Sequence, residues 1–190
     1  MLGFVYTPAI HGYAGVRMTA DEFLALGETQ DRYELVNGVV LMAPSPSPAH
    51  WSVTRAIIVQ LEHFAPSARF TYYCDIDVRF DPSTVYRPDL CLFLAGRLPP
   101  RPRRLDIAPD LIIEVLSPSS APMDLKTKLA DYARFGVQEY WVVDSRDGSL
   151  RAWTLHGNDY HERAVNAGAI ASIALPGLVL DLSGIRNSAG

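Results

Sequence analysis

Glu114 stands inside Leu111-Ile112-Ile113-Glu114-Val115-Leu116, a run apolar enough for a strand buried on both faces. An ionised carboxylate there is costly unless a cation, a positive side chain or several donors compensate it. Asp89, in YRPDL, opens the preceding long apolar segment. If these two strands pair, both carboxylates project from one end of the sheet. Two such oxygens, with water and a phosphate, are a typical Mg²⁺ site, because that ion keeps several waters and needs few protein ligands. The other solution is a core ion pair between Glu114 and an arginine or lysine, and the residues alone leave both open.

A third carboxylate enters apolar surface in RYELV-NG-VVLMA. The Asn37-Gly38 pair suits a two-residue hairpin turn. That register puts Glu34 on one face with Val36, Val39 and Leu41, and Tyr33, Leu35, Val40 and Met42 on the other. His50 begins a helical stripe continued by Val53, Ile57, Leu61 and Phe64. It is either a first-turn histidine bonded to nearby backbone or a site residue.

The elements that must position these groups follow from punctuation and period. Thr19-Ala20-Asp21-Glu22 is a capping box opening a short helix through about Leu26. PSPSP, residues 44–48, breaks the chain before the helix over 50–64. DIDVRFD alternates apolar and polar residues over 75–81 and predicts a strand with one wet face. A second strand follows from Asp89, and a third over PDLIIEVLS. Residues 124–135 predict a helix closed by Gly136, with Leu125, Leu129, Tyr132 and Ala133 as its core face. A fourth strand, 138–144, is followed by hairpin strands near 150–155 and 160–165 and a pair split by Pro176-Gly177. On that helix Lys126 and Lys128 flank the apolar stripe on opposite sides, so periodicity does not choose between them.

The chain has 190 residues, 48% hydrophobic, which suits one core, expected over 19–185 between a loose lead-in, 1–18, and a tail, 186–190. No apolar run is long enough to span a membrane and no signal-like segment opens the chain, so a cytoplasmic location is expected. Cys74 and Cys91 lie in apolar segments and predict reduced core thiols. The net charge of −4 argues against unspecific coating of nucleic acid. Arg97, Arg101, Arg103 and Arg104 form one basic loop, either a solvated connector or a phosphate-holding segment.

YELVNG, YRPDL, PDLIIEVLSPSS, the D-L-x-x-K of Asp124 to Lys128, YARFGVQEYWVVD and the late PGLVLDL together resemble the Uma-type family of restriction-endonuclease-like proteins within the PD-(D/E)XK nuclease superfamily. The resemblance covers nearly the whole chain. It implies an α/β (α+β) fold, a restriction-endonuclease-like mixed sheet flanked by helices with extra N- and C-terminal hairpins. It further implies a Mg²⁺- or Mn²⁺-dependent endonuclease acting on nucleic acid, DNA above RNA, and a homodimer. The superfamily's PD falls on Pro88-Asp89 and its acidic partner on Glu114, with Asp89 and Glu114 as metal ligands. The motif lysine is absent: Leu116 stands two residues after Glu114. The family pattern assigns it to Lys128, and Glu34 also matches a family position. The displaced lysine equally suits a nuclease-like fold that no longer cleaves and serves as a nucleic-acid-binding or assembly module.

Other chemistries fit less well. Asp75-Ile76-Asp77-Val78 lacks the glycine-rich lead of a phosphohydrolase, His161-Glu162 lacks the second histidine of a zinc protease, and no P-loop, GxGxxG or GxSxG is present.

Overall fold

A computed structural model describes residues 12–64, 70–118, 120–165 and 168–189. Thr19 caps helix α1 (Ala20–Ala25), its side chain accepting from the Glu22 N–H while Glu22 accepts from the Thr19 N–H. Asn37 and Gly38 both have left-handed φ, 49° and 77°, the geometry that lets two residues join β1 (Tyr33–Val36) to β2 (Val39–Met42). Glu34 pairs with Leu41 and Val36 with Val39, the expected register. Residues 12–18 are not loose: Gly15 and Met18 donate backbone hydrogen bonds to Val40 and Gly38, alongside β2. The rest of the expected lead-in, residues 1–11, lies outside the described residues.

Helix α2 (Pro48–Phe64) starts at the last proline of the segment read as a break. Proline is at home there because a first-turn residue needs no N–H partner. Strands β3 (Phe70–Cys74), β4 (Val78–Asp81), β5 (Thr84–Tyr86), β6 (Leu90–Leu94) and β7 (Leu111–Leu116) follow. Then come α3 (Leu129–Arg134), β8 (Glu139–Asp144), β9 (Leu150–His156), β10 (Asp159–Arg163), β11 (Ala169–Ala171), β12 (Val179–Asp181) and α4 (Leu182–Arg186).

The central sheet has six strands in the order β10-β9-β8-β7-β6-β3, and a four-stranded sheet runs β2-β1-β5-β4. Among the paired strands of the described residues β7 and β8 alone run parallel, joined through the helical segment before β8 as a parallel pair requires. Leu111, Ile113 and Val115 of β7 pack with Val53, Ile57 and Leu61 of α2 on one face. Ile112 packs on the other with Tyr132, Tyr140 and the small sheet's Val36 and Tyr86. Alternation therefore sends Glu114 to the α3 side. This is the mixed, helix-flanked sheet with terminal hairpins that was expected.

The expected strand over 75–81 is only partly present. Asp75 has a left-handed φ of 51°, which ends the extended run, and β4 begins at Val78 in the small sheet rather than the central one. Asp75 pairs with Arg32 while staying exposed, as a wet face requires, and the half-buried Asp77 pairs with Arg87. The place beside β6 is taken by β3. Before Asp89, Thr84–Tyr86 pairs with β1 and β4, and the chain crosses to the central sheet through Pro88, which lacks a ladder donor.

The basic loop leaves the end of β6 remote from Asp89; Arg97 pairs with Asp110 at 2.7 Å and Arg104 lies 3.5 Å from Asp21. Cys74 and Cys91 are free thiols, Cys91 buried and Cys74 half-buried. No described helix is long and apolar enough to cross a membrane.

Candidate active site

The β6–β7 register pairs Leu90 with Ile113, and extending it by one residue sets Asp89 opposite Glu114. The Asp89 N–H donates to Glu114 Oε2 at 3.1 Å, and the Val115 N–H donates to Asp89 Oδ2 at 2.8 Å. The two carboxylates are thereby tied to each other's strands.

Lys128 faces them from the helical segment. Residues Met123–Lys128 are wound as a π-helical turn, a rare form found disproportionately at functional sites, before the chain continues as α3. Gly136, with φ of 80°, lets the Val137 N–H close this helix on Tyr132 O. Its buried face keeps Tyr132 and Ala133 of the expected one but is shifted from the leucines toward Asp124 and Lys128. Asp124, Lys128, Tyr132 and Ala133 are buried, whereas Leu125 and Leu129 are only half-buried. Lys126 is exposed. Lys128 Nζ lies 3.0 Å from Glu114 Oε1, 3.0 Å from Glu34 Oε1 and 3.6 Å from Asp124 Oδ1. The Tyr132 hydroxyl donates to Glu114 Oε1 at 2.9 Å, and the Arg87 N–H donates to Glu34 Oε1 at 2.9 Å. Glu114 thus has a lysine partner and a neighbouring carboxylate at once; the two solutions that the sequence offered are not exclusive.

One ammonium serves three carboxylates, and the titration behaviour follows from that imbalance. Burial pushes the Glu114 carboxyl up, Lys128 pulls it back, and Asp89, Asp124 and Glu34 push it up again, to about 8. Burial likewise raises Asp124, against Lys128 and a hydrogen bond from Ser120. Burial alone would lower Lys128, but Glu114, Glu34 and Asp124 hold it well above the ordinary lysine value. Lys128 is therefore the fixed charge, and the shortage of positive charge falls on the carboxylates. Asp89 differs: burial raises it, but His50, the Val115 N–H and Lys128 outweigh burial and bring it below the usual aspartate range. All these groups line one cleft of about 490 Å³.

The sequence matches the Uma2 family, described as a putative restriction endonuclease, over residues 20–183. The chain belongs to the Uma2 family. Among solved structures it is similar to a putative nuclease belonging to DUF820 from Anabaena variabilis ATCC 29413, at 20% identity and a TM-score of 0.77. The similarity covers 90% of this chain and 98% of that one, and at this identity it speaks for the shared fold. No curated protein matches. Membership places the chain among nucleases, whose substrates are nucleic acids.

In this Uma2 cleft the structure settles a reading of His50 that the sequence leaves open. His50 Nε2 lies 3.0 Å from Asp89 Oδ2, so its partner is a carboxylate 39 positions away rather than nearby backbone. Because Asp89 Oδ2 can only accept, Nε2 carries the proton. In the sequence Asp124 enters only as part of the lysine pattern, and Tyr132 only as core. The apolar pattern finds Tyr132 but not its bond to Glu114, and it scores Asp124 as solvent-facing although Lys128, four positions on, accompanies it into the interior.

Among the described residues no three His, Cys, Asp or Glu side chains are disposed to enclose a metal. Mg²⁺ does not require that, since one or two carboxylates and several waters suffice. Asp89 and Glu114 meet this need: both line the cleft, and Asp89 Oδ1 takes no hydrogen bond from any described residue. The excess of carboxylates over cations favours a further positive charge there.

Proposed function

We propose that the chain is a metal-dependent endonuclease that hydrolyses phosphodiester bonds in nucleic acid at the cleft of Asp89, Glu114, Lys128 and Glu34. The observation carrying this reading is Lys128 Nζ, 3.0 Å from Glu114 Oε1, which supplies from a helix the cation that β7 lacks. The restriction-endonuclease description of the family favours DNA over RNA as substrate.

Asp89 and Glu114 would hold Mg²⁺ or Mn²⁺. A divalent ion so held polarises a phosphate and lowers the pKa of a bound water. Lys128 keeps its proton because three carboxylates face it, and so offers a fixed positive charge to a developing phosphate oxyanion or an attacking hydroxide. Glu34 positions that ammonium together with Glu114, each carboxylate 3.0 Å from Nζ. His50 and the Val115 N–H fix Asp89 Oδ2 and leave Oδ1 toward the cleft.

The test is cleavage of DNA and RNA by the purified chain with Mg²⁺, Mn²⁺ or chelator, beside Lys128→Ala and Lys126→Ala. Cleavage should require metal. Lys128→Ala should slow it by roughly 10²- to 10³-fold, the cost of losing a preorganised electrostatic group, in assays run below its own Tm, which the loss of a buried ammonium lowers. Lys126→Ala should remain near wild type. If wild type cleaves no substrate in either metal, and metal raises its Tm no more than that of Asp89→Asn, the chain is instead a non-cleaving module.

A further inference from the structure

The exposed apolar side chains of the described residues include a single tryptophan, phenylalanine or tyrosine, Trp51. It is 58% exposed, on the first turn of α2, and directly follows His50, whose ring touches Asp89. Residues 43–46 precede that turn and line the cleft together with Met42, itself 56% exposed. Trp51 and Met42 thus bracket the stretch of chain that forms one wall of the candidate active site. A scattered exposed leucine needs no explanation, but a tryptophan left in water one residue from the cleft-lining His50, at the rim rather than in the lining itself, does.

The charges of the cleft sharpen the question. Each basic side chain lining it is already engaged by carboxylate: Arg32 by Asp75, Arg87 by Asp77, His50 by Asp89, and Lys128 by Glu34, Glu114 and Asp124. The most basic loop lies at the other end of β6, and the chain carries −4 overall. Free lysines and arginines drive phosphate binding through counterion release, and this cleft offers few. Beyond the phosphate at the reacting centre, contacts other than phosphate pairing are needed to hold the strand. Base–aromatic stacking does so without charge and accepts any base, provided the base is out of its duplex stack.

We propose that Trp51 is a stacking platform for an unpaired base of the substrate, so that the cleft takes single-stranded or locally opened nucleic acid in preference to closed duplex. This rests on the nuclease reading and specifies its substrate. Trp141 and Trp153 are buried, so Trp51 is the tryptophan a ligand can quench.

The experiment is a fluorescence titration of the full chain in chelator, where a metal-dependent nuclease does not cut, with oligodeoxythymidylate and with a blunt duplex of equal length. Oligodeoxythymidylate should quench saturably, bind at least tenfold tighter than the duplex, and show a shallow salt dependence, with a log–log slope between 0 and about −1.4, the latter being what two neutralised phosphates on a single strand would give. Trp51→Ala, followed by fluorescence anisotropy of labelled oligonucleotide, should weaken binding by roughly 5- to 100-fold, and Trp51→Phe should recover part of the loss. No quenching, equal binding of duplex, or unchanged affinity in Trp51→Ala each overturns the proposal. These outcomes separate it from the nuclease reading: cleavage that depends on Lys128 but ignores Trp51 refutes only the stacking platform.

Discussion

Two glutamates are buried on neighbouring strands of the central sheet, Glu114 on β7 and Glu139 at the far end of β8, where it pairs with Leu111. Glu139 has a private set of donors: Arg163 Nη1 at 2.5 Å, the Ser172 hydroxyl, and the N–H groups of Ile173 and Ala174 at 2.8 and 2.9 Å. No other carboxylate competes for Arg163 among its described ion pairs. Glu114 shares its one ammonium with Glu34 and Asp124, faces Asp89, and opens onto a cleft. Burial alone does not mark a functional carboxylate. A buried acid with its charge fully matched closes a structure, here tying β8 to the segment before β12, whereas one that is under-compensated at a cleft leaves room for another positive charge.

The largest effect should come from the structural glutamate. Glu139→Ala should cost about 3 kcal/mol in chemical denaturation, the low end for breaking a buried pair because Arg163, a quarter exposed, can turn to water. A loss below about 1 kcal/mol, as for an exposed pair, would remove the contrast between the two sites.

Glu114 should respond oppositely, and to pH. Its folded-state carboxyl, at about 8, lies above the free value of 4.5, so the folded protein binds that proton more tightly than the unfolded one. The stabilisation is complete below about pH 4.5 and is lost as pH rises toward about 8. Metal-free protein should therefore lose Tm between about pH 5 and 8, and Glu114→Gln should flatten that decline. At the alkaline end the variant should match wild type or exceed it by on the order of 1 kcal/mol. Destabilisation as large as that of Glu139→Ala would make Glu114 a second structural glutamate.

The smallest change is Tyr132→Phe, which deletes one hydroxyl donor to Glu114 and should cost about 1 kcal/mol by thermal melting in chelator. A loss several times larger would mean that the tyrosine, rather than Lys128, is the principal partner holding Glu114 in place.

Much of the scaffold was legible in local chemistry. The Asn37-Gly38 turn fixed the hairpin and the facing of Glu34, because a two-residue turn admits one register. The apolar run around Glu114 announced a buried acid that needed partners. The same argument applied to EYWVVD would have singled out Glu139, whose run is equally buried. Other points were not legible. The alternation in DIDVRFD predicted one strand where a left-handed Asp75 divides the segment. The leucines of the helix beyond Ser120 predicted a core face that lies off the one buried, because Asp124 and Lys128 enter the interior as partners and a hydrophobic count scores both as solvent-facing.

By itself, then, the sequence determined the capped helix α1, the helix after the proline-rich break, the apolar strands around Glu114 and Glu139, the β1–β2 register and the identities of the carboxylates, since turn preference, capping and alternation act within a few residues along the chain. Only the tertiary structure decided which lysine faces Glu114, that His50 reaches Asp89, and which buried glutamate is fully matched in charge. Each depends on groups between 14 and 39 positions apart along the chain. The energy of a buried charge is set by the partners that folding brings beside it, whatever its neighbours in sequence.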